Sequence, residues 1–122
     1  MGSFDRGFEN ALELRAGEAI RWSSPAMRRV RRMWVGGRIY VSDERFFFCP
    51  GVLVRRRYGV LRIPLAEIAS FDVFDRKLSL ESVATGGLKP RVQLTTTAGD
   101  QHAFTMQAFE RHVGELQPLL QS

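Results

Sequence analysis

The chain has 122 residues, 44% of them hydrophobic and 25% charged, with a formal net charge of +5. That is enough for one domain with its own core and too little for two, and Arg, Glu, Asp or Gly interrupts every apolar stretch well short of a membrane span. The only cysteine, Cys49, has no partner for an internal disulfide, which argues against a small stapled secreted fold.

The N-terminus lacks a basic-then-apolar leader, and Arg6 stands where a myristoylation signal needs Ser or Thr, so a cytoplasmic protein is expected. Phe4, Phe8 and Leu12 recur every four residues, which predicts an arm or short helix over residues 1–14 ahead of a domain over 15–122. Glu18 to Ser24 alternates as a strand that Pro25 should end, and Met27 to Met33 reads as a basic loop. Trp34 to Ser42 and Arg45 to Cys49 form a hairpin about a Ser42–Arg45 turn. Ile39 and Val41 share one face of it, as do Phe46 and Phe48.

A second basic connection, Val52 to Gly59, leads into a strand over Val60 to Leu65, and Ile68 to Phe74 alternates as the next. Residues Asp75 to Pro90 admit two readings, a strand at LSLESV or a loop marked by Gly86, Gly87 and Pro90. Arg91 to Thr97 and Gln101 to Met106 flank Ala98-Gly99-Asp100 as a second hairpin. Phe109, Val113, Leu116 and Leu120 make one helical stripe, which Pro118 should kink or end. About seven strands followed by one helix, without strand–helix alternation, exclude a doubly wound parallel sheet and predict a mainly β fold.

Charge is concentrated. From Pro25 to Arg62 ten arginines face only Asp43 and Glu44, +8 in that segment, so the remainder carries −3.

Three short segments carry a family resemblance. Gly37-Arg-Ile-Tyr-Val-Ser-Asp-Glu-Arg-Phe-Phe-Phe48 resembles the G-x-L-Y-L-T-x-x-R-L-x-F core of GRAM domains and bacterial pleckstrin-homology-like domains. Ile63-Pro-Leu-Ala-Glu-Ile68 resembles their I-P-L-x-x-I step, and Ala16-Gly17-Glu18 the x-G-E that opens the first strand. The resemblance implies a bent antiparallel barrel of about seven strands capped by one C-terminal α-helix. It implies a non-catalytic module for lipid head groups or protein partners. The phosphoinositide sites of pleckstrin-homology domains use basic residues of the first two strands and their loop, and Arg21, Arg28 and Arg38 occupy roughly corresponding places.

On such a frame alternate connections share a rim, because successive antiparallel strands reverse direction. Parity over the first four strands therefore brings Arg28, Arg29, Arg31 and Arg32 together with Arg55, Arg56 and Arg57, and sends Asp43 and Glu44 to the opposite rim. Met27, Val30, Met33 and Trp34 are interleaved with the first group and suit a headgroup boundary. An arginine-rich rim of this kind predicts association with anionic lipid head groups or a membrane surface, peripheral at the inner face of the membrane. The alternatives are a solvated face without a ligand, a peptide partner along a sheet edge or the sheet–helix groove, and, less favoured, nucleic acid stacked on Tyr58 or Trp34. No cofactor or metal is expected. His102 and His112 lack partners at ligand spacing, Cys49 reads as buried and inert, Asp72 and Asp75 have no signalled acid–base partner, and no glycine pair is followed by a phosphate loop's Lys-Ser/Thr.

Overall fold

The computed structural model describes residues 10–74 and 90–120. The expectations for Phe4, Phe8 and the segment 75–89 fall outside them. The described chain forms β1 (Ile20–Val30), β2 (Met33–Ser42), β3 (Arg45–Pro50), β4 (Leu61–Pro64), β5 (Ile68–Phe74), β6 (Arg91–Thr96) and β7 (Gln101–Thr105). One helical turn, Arg55–Tyr58, precedes β4, a 3-10 turn, Leu65–Glu67, follows it, and the helix Phe109–Leu120 closes the chain. The strands make one seven-stranded antiparallel sheet in the order β4-β3-β2-β1-β7-β6-β5, so β1 joins the two halves. This is the mainly β, helix-capped architecture the strand pattern predicts.

The inner face carries the period-two residues: Ile39 and Val41 of β2, Phe46 and Phe48 of β3, Val92 and Leu94 of β6, and Phe104 of β7. Phe104 meets Phe46 and Phe48 with ring centroids 5.2 and 5.7 Å apart. Val113, Leu116 and Leu120 of the C-terminal helix complete the core, as their spacing requires. Trp22 Nε1 donates to Glu115 Oε1 at 2.9 Å and ties the helix to β1. Phe47 points the other way, yet is also fully buried, because Leu12 of the N-terminal segment packs over Tyr40, Phe47 and Cys49. Arg62 holds that segment down by donating to the carbonyls of Leu12 and Ala11 at 3.2 and 3.0 Å. β3 is thus covered on both faces, which accounts for three consecutive phenylalanines in one strand.

One proline acts differently from the expectation. β1 does not end at Pro25; it runs on to Val30, with Pro25 in register opposite Arg38. β1 gains its second neighbour, β7, only at Met27 and Arg28. Pro25 therefore sits where one side of the strand is open, the setting in which a strand tolerates a missing N–H. The expected loop from Met27 to Met33 shrinks to a two-residue turn, Arg31–Arg32. The C-terminal helix includes Pro118 and runs to the buried Leu120, forfeiting the bond to the Gly114 carbonyl close to its end. Gly37 is required by close approach: a Cβ there would lie 2.3 Å from the Cys49 carbonyl oxygen.

At the end of the sheet away from the Arg31–Arg32 turn, a buried ion pair closes the structure. The Arg45 guanidinium donates from Nη2 to Glu18 Oε1 at 2.5 Å and from Nε to Oε2 at 3.0 Å, and the two side chains are 7% and 0% exposed. Ser42 Oγ donates to Glu18 Oε2 and accepts from the backbone N–H groups of Glu44 and Arg45. Glu18, Ser42 and Arg45 are the polar positions of the x-G-E and Y-L-T-x-x-R segments, so two separate stretches of the resemblance meet in one cluster. The hydrogen bonds from Arg45, with those from the Arg15 N–H and Ser42, outweigh burial and lower the Glu18 pKa from 4.5 to about 2.

Removing one partner of a buried pair strands the other charge, so Glu18→Gln should cost about 3–5 kcal/mol, read as a large fall in melting temperature. Glu44→Gln, which breaks only the exposed Arg15–Glu44 pair, should change stability by less than about 1 kcal/mol. Because the folded-state pKa is depressed, the Glu18 contribution of about 3 kcal/mol is complete above pH 4.5 and is lost as pH falls towards 2. Urea midpoints for wild type and Glu18→Gln should therefore converge on acidification.

Candidate functional site: an arginine-bearing rim

Within β1 to β4 the Arg31–Arg32 turn and the connection from Gly51 to Val60 lie at the same end of the sheet, as parity requires. They do not form one level surface. β3 pairs with β2 from Gly37 onward, and a bond from Gly51 N–H to the Gly36 carbonyl at 3.0 Å adds one step. The last three residues of the β1–β2 hairpin overhang, so its tip projects roughly 10 Å beyond the end of β3.

Side chains along that hairpin alternate between faces. Ala26, Arg28 and Val30 share the inner side of β1 with Phe104, the β7 partner of Arg28, and Val35, its β2 partner. Arg28 is therefore half-buried in the mouth of the barrel. Its Nη2 is 3.3 Å from His102 Nδ1, while its Nε is sealed from solvent without a hydrogen-bond partner. Burial lowers the Arg28 pKa, and burial followed by the Arg28 charge lowers that of His102, which is thereby kept neutral at physiological pH. Among the described residues, no salt bridge includes Arg28.

Met27, Arg29 and Arg31 fall on the other side. Arg29 lies over the Trp34 ring, 5.9 Å from its centroid, and its Nε donates to the Arg31 carbonyl at 3.1 Å. Arg31 has φ +57°, a left-handed conformation that usually takes glycine or asparagine. Arg31 and Arg32 are exposed, Met33 is 61% exposed, and Val30, Trp34 and Met27 are half-buried.

In the second connection Arg55 is partly buried and donates from Nε to the Pro50 carbonyl at 3.2 Å. Arg56 and Arg57 are exposed, and Arg57 lies over Tyr58 at 5.6 Å. Two of the arginines singled out from the sequence lie elsewhere. Arg21 is beside the register shift at the start of β1, roughly 30 Å along the strand from Val30. Arg38 is mid-strand on the outer face, over Tyr40 and bonded to Ser23 Oγ at 3.3 Å.

Sequence reasoning missed Val52 and Leu53, which are 70% and 93% exposed immediately before the Arg55–Tyr58 turn. The signal was present: an apolar V-L-V run directly after Pro50-Gly51, inside a connection. A shallow groove of about 450 Å³ also opens between β1 and the segment after β7, with Pro25, Met27, Gly36, Pro90 and Met106 among its walls. Cys49 is buried, and burial pushes its thiol pKa up, which disfavours the thiolate. His112 is a docking residue, with Nδ1 2.7 Å from the Gln107 carbonyl and its ring edge-on to Trp22 at 5.9 Å.

No protein-family model matches the sequence, and no curated protein matches it. Solved structures match at the level of fold. The crystal structure of the C-terminal domain of an unknown protein from Leishmania infantum aligns with a TM-score of 0.74 at 12% identity, covering 97% of this chain and 98% of that one. The Vps36 N-terminal PH domain aligns with a TM-score of 0.59 at 14% identity, covering 88% of this chain and 82% of that one. The seven-stranded antiparallel sheet with its C-terminal helix is thus a pleckstrin-homology-like fold. Among the described residues no helix is long and apolar enough to cross a membrane.

The Arg28 geometry makes a stability prediction. Arg28→Met replaces a desolvated, partly unsatisfied cation by an apolar chain of similar length, and should raise stability by about 1 kcal/mol in thermal melts. The His102 pKa should rise at the same time, since one of the two causes lowering it is removed; NMR titration of the ring reads this directly.

Proposed function

We propose that this protein is a non-catalytic, GRAM-like binding module that associates through its arginine rim with anionic lipid head groups at the cytoplasmic, inner face of a membrane. One observation carries the reading: Arg31, Arg32, Arg56 and Arg57 are all exposed at one end of the β1–β4 half of the sheet, and none takes part in the salt bridges among the described residues. Those bridges employ Arg15, Arg45 and Arg62 instead. An unpaired cationic rim attracts an anionic surface over a Debye length, with each arginine contributing about 1 kcal/mol near the lipid. Arg29 and Trp34, stacked beside the tip, suit the headgroup layer, and Arg28 in the mouth of the barrel adds a desolvated cation for a headgroup that reaches it. The bacterial variety of the fold belongs to this proposal too, resting on the sequence segments that carry the resemblance.

A peptide partner is the second reading, and the apolar groove beside Pro25 and Met106 is what favours it.

Vesicle flotation separates the two. Binding to phosphatidylserine-containing vesicles should be strong at low salt and should fall at about 1 M salt, where the screening length is about 3 Å. Replacing Arg31, Arg32, Arg56 and Arg57 by alanine should weaken it by about a hundredfold or more. Vesicle binding indifferent to salt and to these replacements would sink the proposal, and a protein captured equally well by the quadruple variant would favour the peptide reading. A gel shift at low salt with single-stranded nucleic acid is expected to be blank.

A further inference from the structure

We propose that Val52 and Leu53 form a hydrophobic wedge that enters the hydrocarbon boundary of an anionic bilayer while the rim arginines hold the head groups. The inference rests on the membrane reading above and adds to it a second, non-electrostatic mode of attachment.

The case starts from the backbone. Val54 N–H and Arg55 N–H both donate to the Gly51 carbonyl, at 3.0 and 2.9 Å, so residues 51–54 form a closed turn with Val52 and Leu53 at its two central positions. Such positions ordinarily take Gly, Pro, Asn, Asp or Ser, whose local chemistry favours the bend. Here they carry two of the largest aliphatic exposures in the described chain, 70% and 93%. The turn is fastened at its C-terminal side as well, by Arg57 and Tyr58 N–H groups donating to the Val54 carbonyl at 3.1 Å each. The apolar tips are therefore held out by a stable bend.

What surrounds them identifies the occupant. Arg56 and Arg57 follow on the exposed side of the helical turn, and the Arg31–Arg32 tip with Met33, 61% exposed, stands at the same end of the sheet. Cations at the same end of the sheet as isolated aliphatic points match a bilayer surface, where head groups are anionic and the layer beneath is apolar and deformable. A protein partner would instead need a concave pocket for each convex tip, in a face of opposite charge to the rim.

The experiment places an environment-sensitive NBD fluorophore on Leu53→Cys, with Ala66→Cys as a control on the exposed 3-10 turn at the other end of β4. Cys49 is buried, with a raised pKa, and stays unlabelled. On phosphatidylserine-containing vesicles the label at 53 should shift to the blue, brighten several-fold and be quenched by chain-brominated lipid, while the label at 66 stays aqueous. The double variant Val52→Ser, Leu53→Ser should lose about tenfold or more of the binding that survives high salt and keep its salt-sensitive part. Vesicles that float the protein while the label at 53 remains aqueous overturn the wedge and leave the headgroup reading intact. No flotation at any ionic strength overturns both.

Discussion

A carboxylate and a guanidinium shut away from water are stable only while each has the other. Glu18 and Arg45 meet that condition with two parallel hydrogen bonds, and Ser42 uses its hydroxyl to join the carboxylate to the turn between β2 and β3. The consequence is geometric as much as energetic. Glu18 lies in the segment entering β1, Arg45 opens β3, and Leu65 N–H at the end of β4 donates to the Glu44 carbonyl of the same turn at 2.9 Å. The buried pair thus sits where β1 and β3 begin and β2 and β4 end.

With one end settled, the arginines divide into two physical populations. Arg45, Arg62 and Arg15 have carboxylate partners and hold the turn and the N-terminal segment in place. Arg31, Arg32, Arg56 and Arg57 are extended into solvent at the other end, where like charges raise one another's potential and add nothing to folding. A protein gains no stability from such a rim, nor from a left-handed Arg31 or exposed Val52 and Leu53. Those costs are small, about 1 kcal/mol or so each. They fall at the same end of the sheet, which is why an external partner at that end is the economical explanation.

Arg28 stands between the populations. The same strand alternation that turns Ala26 and Val30 inward turns Arg28 inward, beside a neutral His102, so the mouth of the barrel contains a cation with half its hydration removed. A long charged side chain can lie on apolar walls with its head near the opening, and Phe104, Val35 and Val30 supply those walls.

The sequence alone determined the class of fold, because alternation with period two and a stripe with period 3.6 are local properties that burial enforces residue by residue. It also determined that the Arg31–Arg32 turn and the connection after Pro50 share an end, since antiparallel reversal leaves no other outcome. Tertiary structure decided the rest. Pro25 reads as a strand terminator until one knows that β1 has an open side there, and the length of the β1–β2 hairpin, hence the overhang of its tip, depends on that. Arg45 reads as a turn cation until Glu18, 27 residues earlier, arrives beside it. Val52 and Leu53 read only as the start of a basic connection, because hydrophobicity in a sequence does not say which side of a finished surface a residue faces. Each of these depends on contacts between distant segments, and such contacts exist only once the sheet has formed.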